Sequence, residues 1–252
     1  MPDEINDFIV VVLDHRNAKE VEQLHRGWNG AAGGNVLIAY GGAKSEFDRI
    51  ALPHKILIDD PRLRTRDHQR ECQSYTSIFR STLGWMQQHN RRANRILVVE
   101  YDHIPLQKDF MTRLVNAAQS RQADVLAHHV RRIDNTSDAA LLWLAQQERL
   151  RRHIRPLSIR ADDGVVVAFL GTGSLWTHAA FESVAGIEEP EPVYLELWLP
   201  TLAHHLGFRV VGMDEQDRWV QSGRDRSHEI EDARAAGAWS LHPVKKPSEN
   251  FA

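Results

Sequence analysis

The chain has 252 residues, of which 42% are hydrophobic and 26% charged, with a formal net charge of −3. This is a globular balance with length for one large α/β core or two small ones, and the near-neutral charge excludes a global attraction to nucleic acid or an anionic membrane. The single cysteine, Cys72, excludes an intrachain disulfide and a thiolate metal cage.

The first apolar run, Phe8-Ile9-Val10-Val11-Val12-Leu13, reads as a strand buried on both faces and ends at Asp14-His15-Arg16. Asn17 caps a helix from Ala18 to about Trp28, with Val21, Leu24 and Trp28 on one face. Asn29-Gly30 and Gly33-Gly34 mark its end, and residues 35–40 form the next strand, followed by Gly41-Gly42. This is a βαβ unit. A short third strand over 54–58 ends at Asp59-Asp60-Pro61, and a charged loop leads into a helix from about His68 to His89.

Residues 95–100 form the central strand, running directly into Glu100-Tyr101-Asp102-His103-Ile104-Pro105. Two residues apart on an extended backbone, Glu100 and Asp102 point the same way. Two like charges a few ångströms apart repel by about 4 kcal/mol at an effective dielectric near 20. A divalent cation with a preference for hard oxygen ligands relieves that repulsion. The position also fits: ligand sites of open α/β sheets lie beyond the carboxyl ends of the strands.

A helical pattern follows over 106–118, then a strand over 123–130 and an amphipathic helix over 138–152 with a basic end. Residues 165–170 form a strand closed by Gly171-Thr172-Gly173, and 174–184 read as a strand end and short helix. A helix over 194–206 should kink or begin at Pro200, and it flows past Gly207 into a strand over 208–213. The tail from Gln216 reads as irregular, with an apolar anchor at Trp239-Ser240-Leu241-His242-Pro243-Val244-Lys245. The expected architecture is α/β, a mostly parallel, Rossmann-like central sheet flanked by helices. No membrane segment or signal-peptide pattern is visible, which points to a soluble, cytoplasmic protein.

Paired carboxylates at a central strand end, glycine turns and nearby arginines suggest a metal ion and a diphosphate. There is no GxxxxGK[ST] run, no GxGxxG after the first strand and no GxSxG elbow, which argues against a Walker NTPase, a dinucleotide fold and an α/β-hydrolase. The basic clusters over 62–70 and 149–155 suit a small anion better than a polymer.

The chain resembles glycosyltransferases of the GT-A fold over roughly residues 7–213, plus the His242 segment. Three stretches carry the resemblance. Residues 96–105 are similar to the strand ending in a D-x-D metal motif, with Glu100 in place of the first Asp. Residues 171–178 through Gly186 are similar to the acceptor-side glycine turn. Glu196-Leu197-Trp198-Leu199 to Gly207-Phe208-Arg209-Val210 is similar to the family's E-D-x-x-L helix and following strand, with Leu195 where a Glu is usual.

The resemblance implies one GT-A-like domain over 1–252: a nucleotide-binding half (1–105), an acceptor half (106–215) and a C-terminal tail (216–252). It implies Mn²⁺ or Mg²⁺ on Asp102, Glu100 and His242, and Glu196 as general base of an inverting transfer. It places Asp14, Arg16, Asp60, Arg70, Tyr75 and Glu100 against the nucleotide, with Lys245 facing a phosphate. The partners implied are a nucleotide-diphosphate sugar, UDP-sugar favoured, and a hydroxyl acceptor. The competing readings are a sugar-nucleotide nucleotidyltransferase, disfavoured by the glycine-free Asp14-His15-Arg16-Asn17, and a non-catalytic binding protein on the same fold, favoured by Glu100 and Leu195.

Overall fold

The computed structural model describes residues 4–64, 75–133, 140–188 and 193–245. Arg70, Cys72 and the expected first turns of the helix over 68–89 lie outside the described residues.

The chain runs through β1 (Glu4–Asp14), α1 (Ala18–Ala32), β2 (Val36–Tyr40), α2 (Lys44–Arg49), β3 (Lys55–Leu57), α3 (Tyr75–Gln88) and β4 (Arg91–Glu100). Next come β5 (Ile104–Pro105), α4 (Phe110–Ser120), β6 (Val125–Ala127), β7 (Arg131–Ile133), α5 (Ala140–Ile154), β8 (Val166–Ala168) and β9 (Ser174–Thr177). The described chain ends with α6 (His178–Ala185), α7 (Leu195–His205), β10 (Val210–Gly212), α8 (Ile230–Ala235) and β11 (Ser240–Leu241).

Seven strands form one sheet in the order β10-β6-β9-β4-β1-β2-β3. Its members pair in parallel except β9, which runs antiparallel to both β4 and β6. The expected class, α/β with a mostly parallel sheet flanked by helices, is what the chain forms. Alternate strand residues feed the two faces. Ile9, Val11, Ile96 and Val98 pack with α3, α6 and α7, where Phe79 stacks on Phe181 at 4.0 Å. Val10, Val12, Leu97 and Val99 pack with α1, α4 and the C-terminal segment. Both faces are covered, which is why the strands read as unbroken apolar runs. Among the described residues no helix is long and apolar enough to cross a membrane.

Three local expectations are corrected. First, α1 runs past Asn29-Gly30 to Ala32, because Trp28 and Ala32 are both fully buried one turn apart and the left-handed cap is Gly33 (φ 54°). Second, Pro200 does not start α7 but lies inside it, five residues after Leu195. The Glu196 carbonyl that its missing N–H would have engaged accepts instead from the Phe169 N–H at 3.1 Å, so the loop before Gly171 supplies the lost bond. Third, the tail is not irregular throughout. It holds α8 and β11; β11 pairs antiparallel with β5, and Trp219, Val220, Ile230, Ala233, Leu241 and Val244 are buried against the α1/α4 face. That packing returns residue 242 to the end of β4.

Candidate functional site

At the carboxyl end of β4 the backbone turns rather than continuing extended: Tyr101 and Asp102 lie in a turn closed by the His103 N–H donating to the Glu100 carbonyl at 3.0 Å. The convergence of Glu100 and Asp102 therefore comes from this turn, not from strand alternation. Ligand atoms of Glu100, Asp102 and His242 all lie within 4.8 Å of one another. His242 arrives on the C-terminal segment, held by the Trp219 carbonyl accepting from its N–H at 3.1 Å and by the Asp102 carbonyl accepting from the Val244 N–H at 2.7 Å. The His242–Pro243 peptide bond is cis.

The donor set fits a divalent ion. His242 donates its Nδ1–H to the Gln221 carbonyl at 2.7 Å, which turns Nε2 toward the carboxylates, 3.2 Å from Asp102 Oδ1 and 3.7 Å from Glu100 Oε2. The Asp102 contact is electrostatic rather than an aligned hydrogen bond, so the buried Oδ1 has no hydrogen-bond partner. Two hard oxygens and an imidazole suit Mn²⁺ or Mg²⁺. Without an ion, cationic side chains balance the carboxylates. Lys245 Nζ sits 3.2 Å from Asp102 Oδ2. Burial opposes charge on His242, but Asp102 and Glu100 outweigh it and push the imidazole up to about 9. Burial likewise opposes the Asp102 carboxylate, yet His242 and Lys245 hold it below its ordinary value.

Glu196 stands in the first turn of α7, where its carboxylate accepts from the Gly171 N–H at 2.8 Å. Burial dominates its environment; the Gly171 bond pulls the other way and the nearby Glu100 adds repulsion, so the carboxyl is pushed up to about 7. A carboxylate poised near neutrality, beside a candidate metal triad, has the properties of a general base.

The nucleotide-side candidates are differently placed. Asp14 is buried at the end of β1, where it accepts from the His15 and Arg16 N–H groups at 2.7 and 2.8 Å and pairs with the Arg16 guanidinium at 2.6 Å. Asp60 repeats the pattern with Arg62 at 2.7 Å and the Ser77 hydroxyl at 2.7 Å. Both carboxylates are thus engaged in fixing their loops. Arg16 lies 4.7 Å from the Tyr101 ring centroid, which brings the end of β1 against the metal turn. Tyr75 opens α3, but its side chain, like all of Arg70, lies outside the described set.

A second histidine–carboxylate group, Asp162, His204 and His205, also has ligand atoms within 4.8 Å. It reads as a latch rather than a metal centre. His205 has both ring nitrogens engaged, with Ser158 Oγ at 2.8 Å and the Val165 carbonyl at 2.7 Å, while Asp162 is paired with Arg132 at 2.9 Å.

Several contributors escaped the sequence reading. Gln221 sets the His242 tautomer, and Thr172 accepts the Glu100 N–H at 2.9 Å. His103 is fully buried, with Nδ1 at 3.2 Å from Thr172 Oγ1 and its ring stacked 5.8 Å from His242. Burial, with His242 and His128 nearby, drives His103 well below its ordinary value, so it is neutral. Only the Gly171-Thr172-Gly173 turn gave a signal for any of them.

No family model matches the chain, and no curated protein matches it. Among solved structures, the mannosyltransferase PcManGT from Pyrobaculum calidifontis, in complex with GDP-Man and Mn²⁺, is similar over 85% of this chain and 59% of its own, at 11% identity and a TM-score of 0.45. The chain thus spans less than two thirds of that protein's length. A likeness of this size fixes neither substrate nor residue roles.

Proposed function

We propose that the chain is a glycosyltransferase that moves a sugar, with inversion, from a nucleotide-diphosphate donor to a hydroxyl acceptor. A UDP-sugar is the favoured donor. The observation that carries the reading is the adjacency of two groups: a Glu100–Asp102–His242 triad suited to a divalent cation, and Glu196, a carboxyl poised near 7, bonded to the loop that also bonds the triad's turn. The resemblance of the same residues to a D-x-D strand end and a base-bearing helix supports it.

In this reading Glu100, Asp102 and His242 hold Mn²⁺ or Mg²⁺, which when bound offsets negative charge on a diphosphate leaving group. Glu196 accepts the proton of the acceptor hydroxyl as that oxygen bonds to the anomeric carbon; the anomeric C–O bond breaks and its electron pair leaves on the diphosphate. Lys245, half-exposed and paired with Asp102 Oδ2, would meet a donor phosphate in this reading. The ends of β1 to β3 form the nucleotide side, with Asp14 and Asp60 acting through the loops they fix. Residues 106–215 form the acceptor side.

The test is Mn²⁺ titration by calorimetry, followed by UDP-sugar and GDP-sugar turnover read as nucleotide release, with Asp102→Asn as the control. Mn²⁺ binding and turnover in the native chain, both lost in D102N, are expected. A native protein that binds neither Mn²⁺ nor a nucleotide overturns the proposal.

A further inference from the structure

The Gly171-Thr172-Gly173 turn sits where two functions meet, and each of its three residues makes a specific bond. Gly171 donates its N–H to Glu196 Oε1 at 2.8 Å. Thr172, 2% exposed, accepts the Glu100 N–H on Oγ1 at 2.9 Å and meets His103 Nδ1 at 3.2 Å. Gly173 donates to the Val98 carbonyl at 2.9 Å, two residues before Glu100. The turn therefore ties the end of β4, the turn carrying the metal ligands, and the carboxylate at the head of α7. No side chain fits at Gly173: its φ is +77°, and a Cβ there would stand 2.6 Å from His103 Cε1 and 3.0 Å from His128 Cδ2.

Thr172 is the chemically distinctive member. Gly171 and Gly173 bond through main-chain N–H groups that any residue but proline has. The Thr172 hydroxyl alone among the three reaches out as a side chain, accepting from the Glu100 N–H while also meeting the buried His103 imidazole. His103 in turn stacks on His242, so one oxygen borders the backbone of one metal ligand and, through a ring, the side chain of another. Partners of this outer kind commonly change metal affinity by about 10- to 100-fold when removed.

We infer that Thr172 is a positioning residue, whose hydroxyl fixes the Glu100–Asp102 turn and the His103–His242 stack at a set distance from Glu196. It rests on the glycosyl-transfer reading for its purpose but not for its geometry. Deleting the hydroxyl lets the metal turn drift relative to the base, so cation binding and turnover suffer together. Serine retains the acceptor and so should keep the brace.

The experiment compares Mn²⁺ affinity by calorimetry, and turnover, in the native chain, Thr172→Val and Thr172→Ser. The expected result is a Kd raised about tenfold or more in T172V, with kcat lowered beyond any change in donor KM, and T172S within about threefold of native on both. A T172V protein that melts lower but binds Mn²⁺ with the native Kd overturns the inference while leaving the glycosyl-transfer reading standing. If the native chain binds neither Mn²⁺ nor a nucleotide, that reading falls instead. Without Mn²⁺ binding the brace is decided by hydrogen exchange in the native protein, as it is if T172V fails to fold. A slowly exchanging Glu100 amide supports it, and exchange at the rate of an exposed turn overturns it.

Discussion

Glu196→Gln should separate catalysis from stability. A carboxyl pushed from 4.5 to about 7 on folding binds its proton more tightly in the native state than in the unfolded one. Because the folded value lies above the unfolded value, the penalty is absent below about pH 4.5, grows as pH rises, and is complete above about pH 7. At about 1.4 kcal/mol per tenfold change in proton affinity, the full penalty is about 3.5 kcal/mol, of which about 2.5 kcal/mol appears between pH 5 and pH 8. Glutamine keeps an oxygen for the Gly171 N–H and carries no charge, so E196Q escapes the penalty. Urea denaturation of native and E196Q protein at pH 5 and pH 8, in EDTA to keep cations out, reads the difference directly. The E196Q advantage should widen by about 2.5 kcal/mol from pH 5 to pH 8, and any fixed cost of the amide cancels between the two. In the same variant, turnover with Mn²⁺ should fall by about 10² to 10⁴, the usual contribution of a general base. A stability difference that does not change with pH refutes the buried-carboxyl argument, and full turnover in E196Q refutes its assignment as the base.

Other consequences follow from the same geometry. Gly173→Ala should destabilise the fold by about 2–4 kcal/mol, from the left-handed backbone and the Cβ contact with buried His103, read as a lower urea midpoint. Asp14→Ala should cost about 3 kcal/mol of stability by stranding Arg16 and two loop N–H groups; an unchanged urea midpoint with lost nucleotide binding would reverse the structural assignment of Asp14. Chelation with EDTA should leave the circular dichroism of the native fold unchanged, because His242 and Lys245 already balance the carboxylates. Mn²⁺ at about 100 times its Kd should then add about 2.7 kcal/mol, seen as a rise in Tm.

The parallel core was legible because strands buried on both faces need apolar residues at every position, and β1, β2 and β4 have them. The Glu100–Asp102 pair was legible for a reason only half right. Their spacing does bring them together, but through a turn that the sequence does not distinguish from an extended strand end. The C-terminal segment was misread because its buried residues, Trp219, Val220, Ile230, Ala233 and Leu241, are scattered among polar ones, and α8 (6 residues) and β11 (2 residues) are too short to show a period; together they cover α1 and α4. Gln221 was beyond reach and Thr172 was marked only by its glycine turn, since each acts on a residue far along the chain and no local pattern records such a bond.

Three strand-end aspartates differ in what completes them. Asp14 is followed two residues later by Arg16, and Asp60 by Arg62. In both, the carboxylate accepts the N–H of that arginine and pairs with its guanidinium within one loop, and Asp60 also accepts from the Ser77 hydroxyl of α3. Asp102 is followed by His103 and Ile104, and Ile104 is fully buried in β5 opposite Leu241, so the core bars a cation from that position. The partners of Asp102 come instead from His242 and Lys245, on a segment that must fold back across the sheet, and one of its oxygens still lacks a hydrogen bond. An Asp-x-Arg spacing at a strand end thus marks a carboxylate whose charge is already paired within its own loop, and its absence at Asp102 leaves a carboxylate oxygen for a ligand to complete. Arg62→Met tests the rule. Burial opposes the Asp60 carboxylate, but Arg62 and Ser77 outweigh it and hold it below 3.8. A folded value below the unfolded one stabilises the protein above about pH 4, and that stability is lost as pH falls further. R62M should therefore cost about 2–3 kcal/mol at pH 7, less at about pH 3, and leave the Kd for Mn²⁺ unchanged. Urea midpoints at the two pH values read the cost. An equal cost at both would show that Asp60 does not depend on Arg62 for its charge, and the spacing would then say nothing about which strand-end carboxylate is left for a ligand.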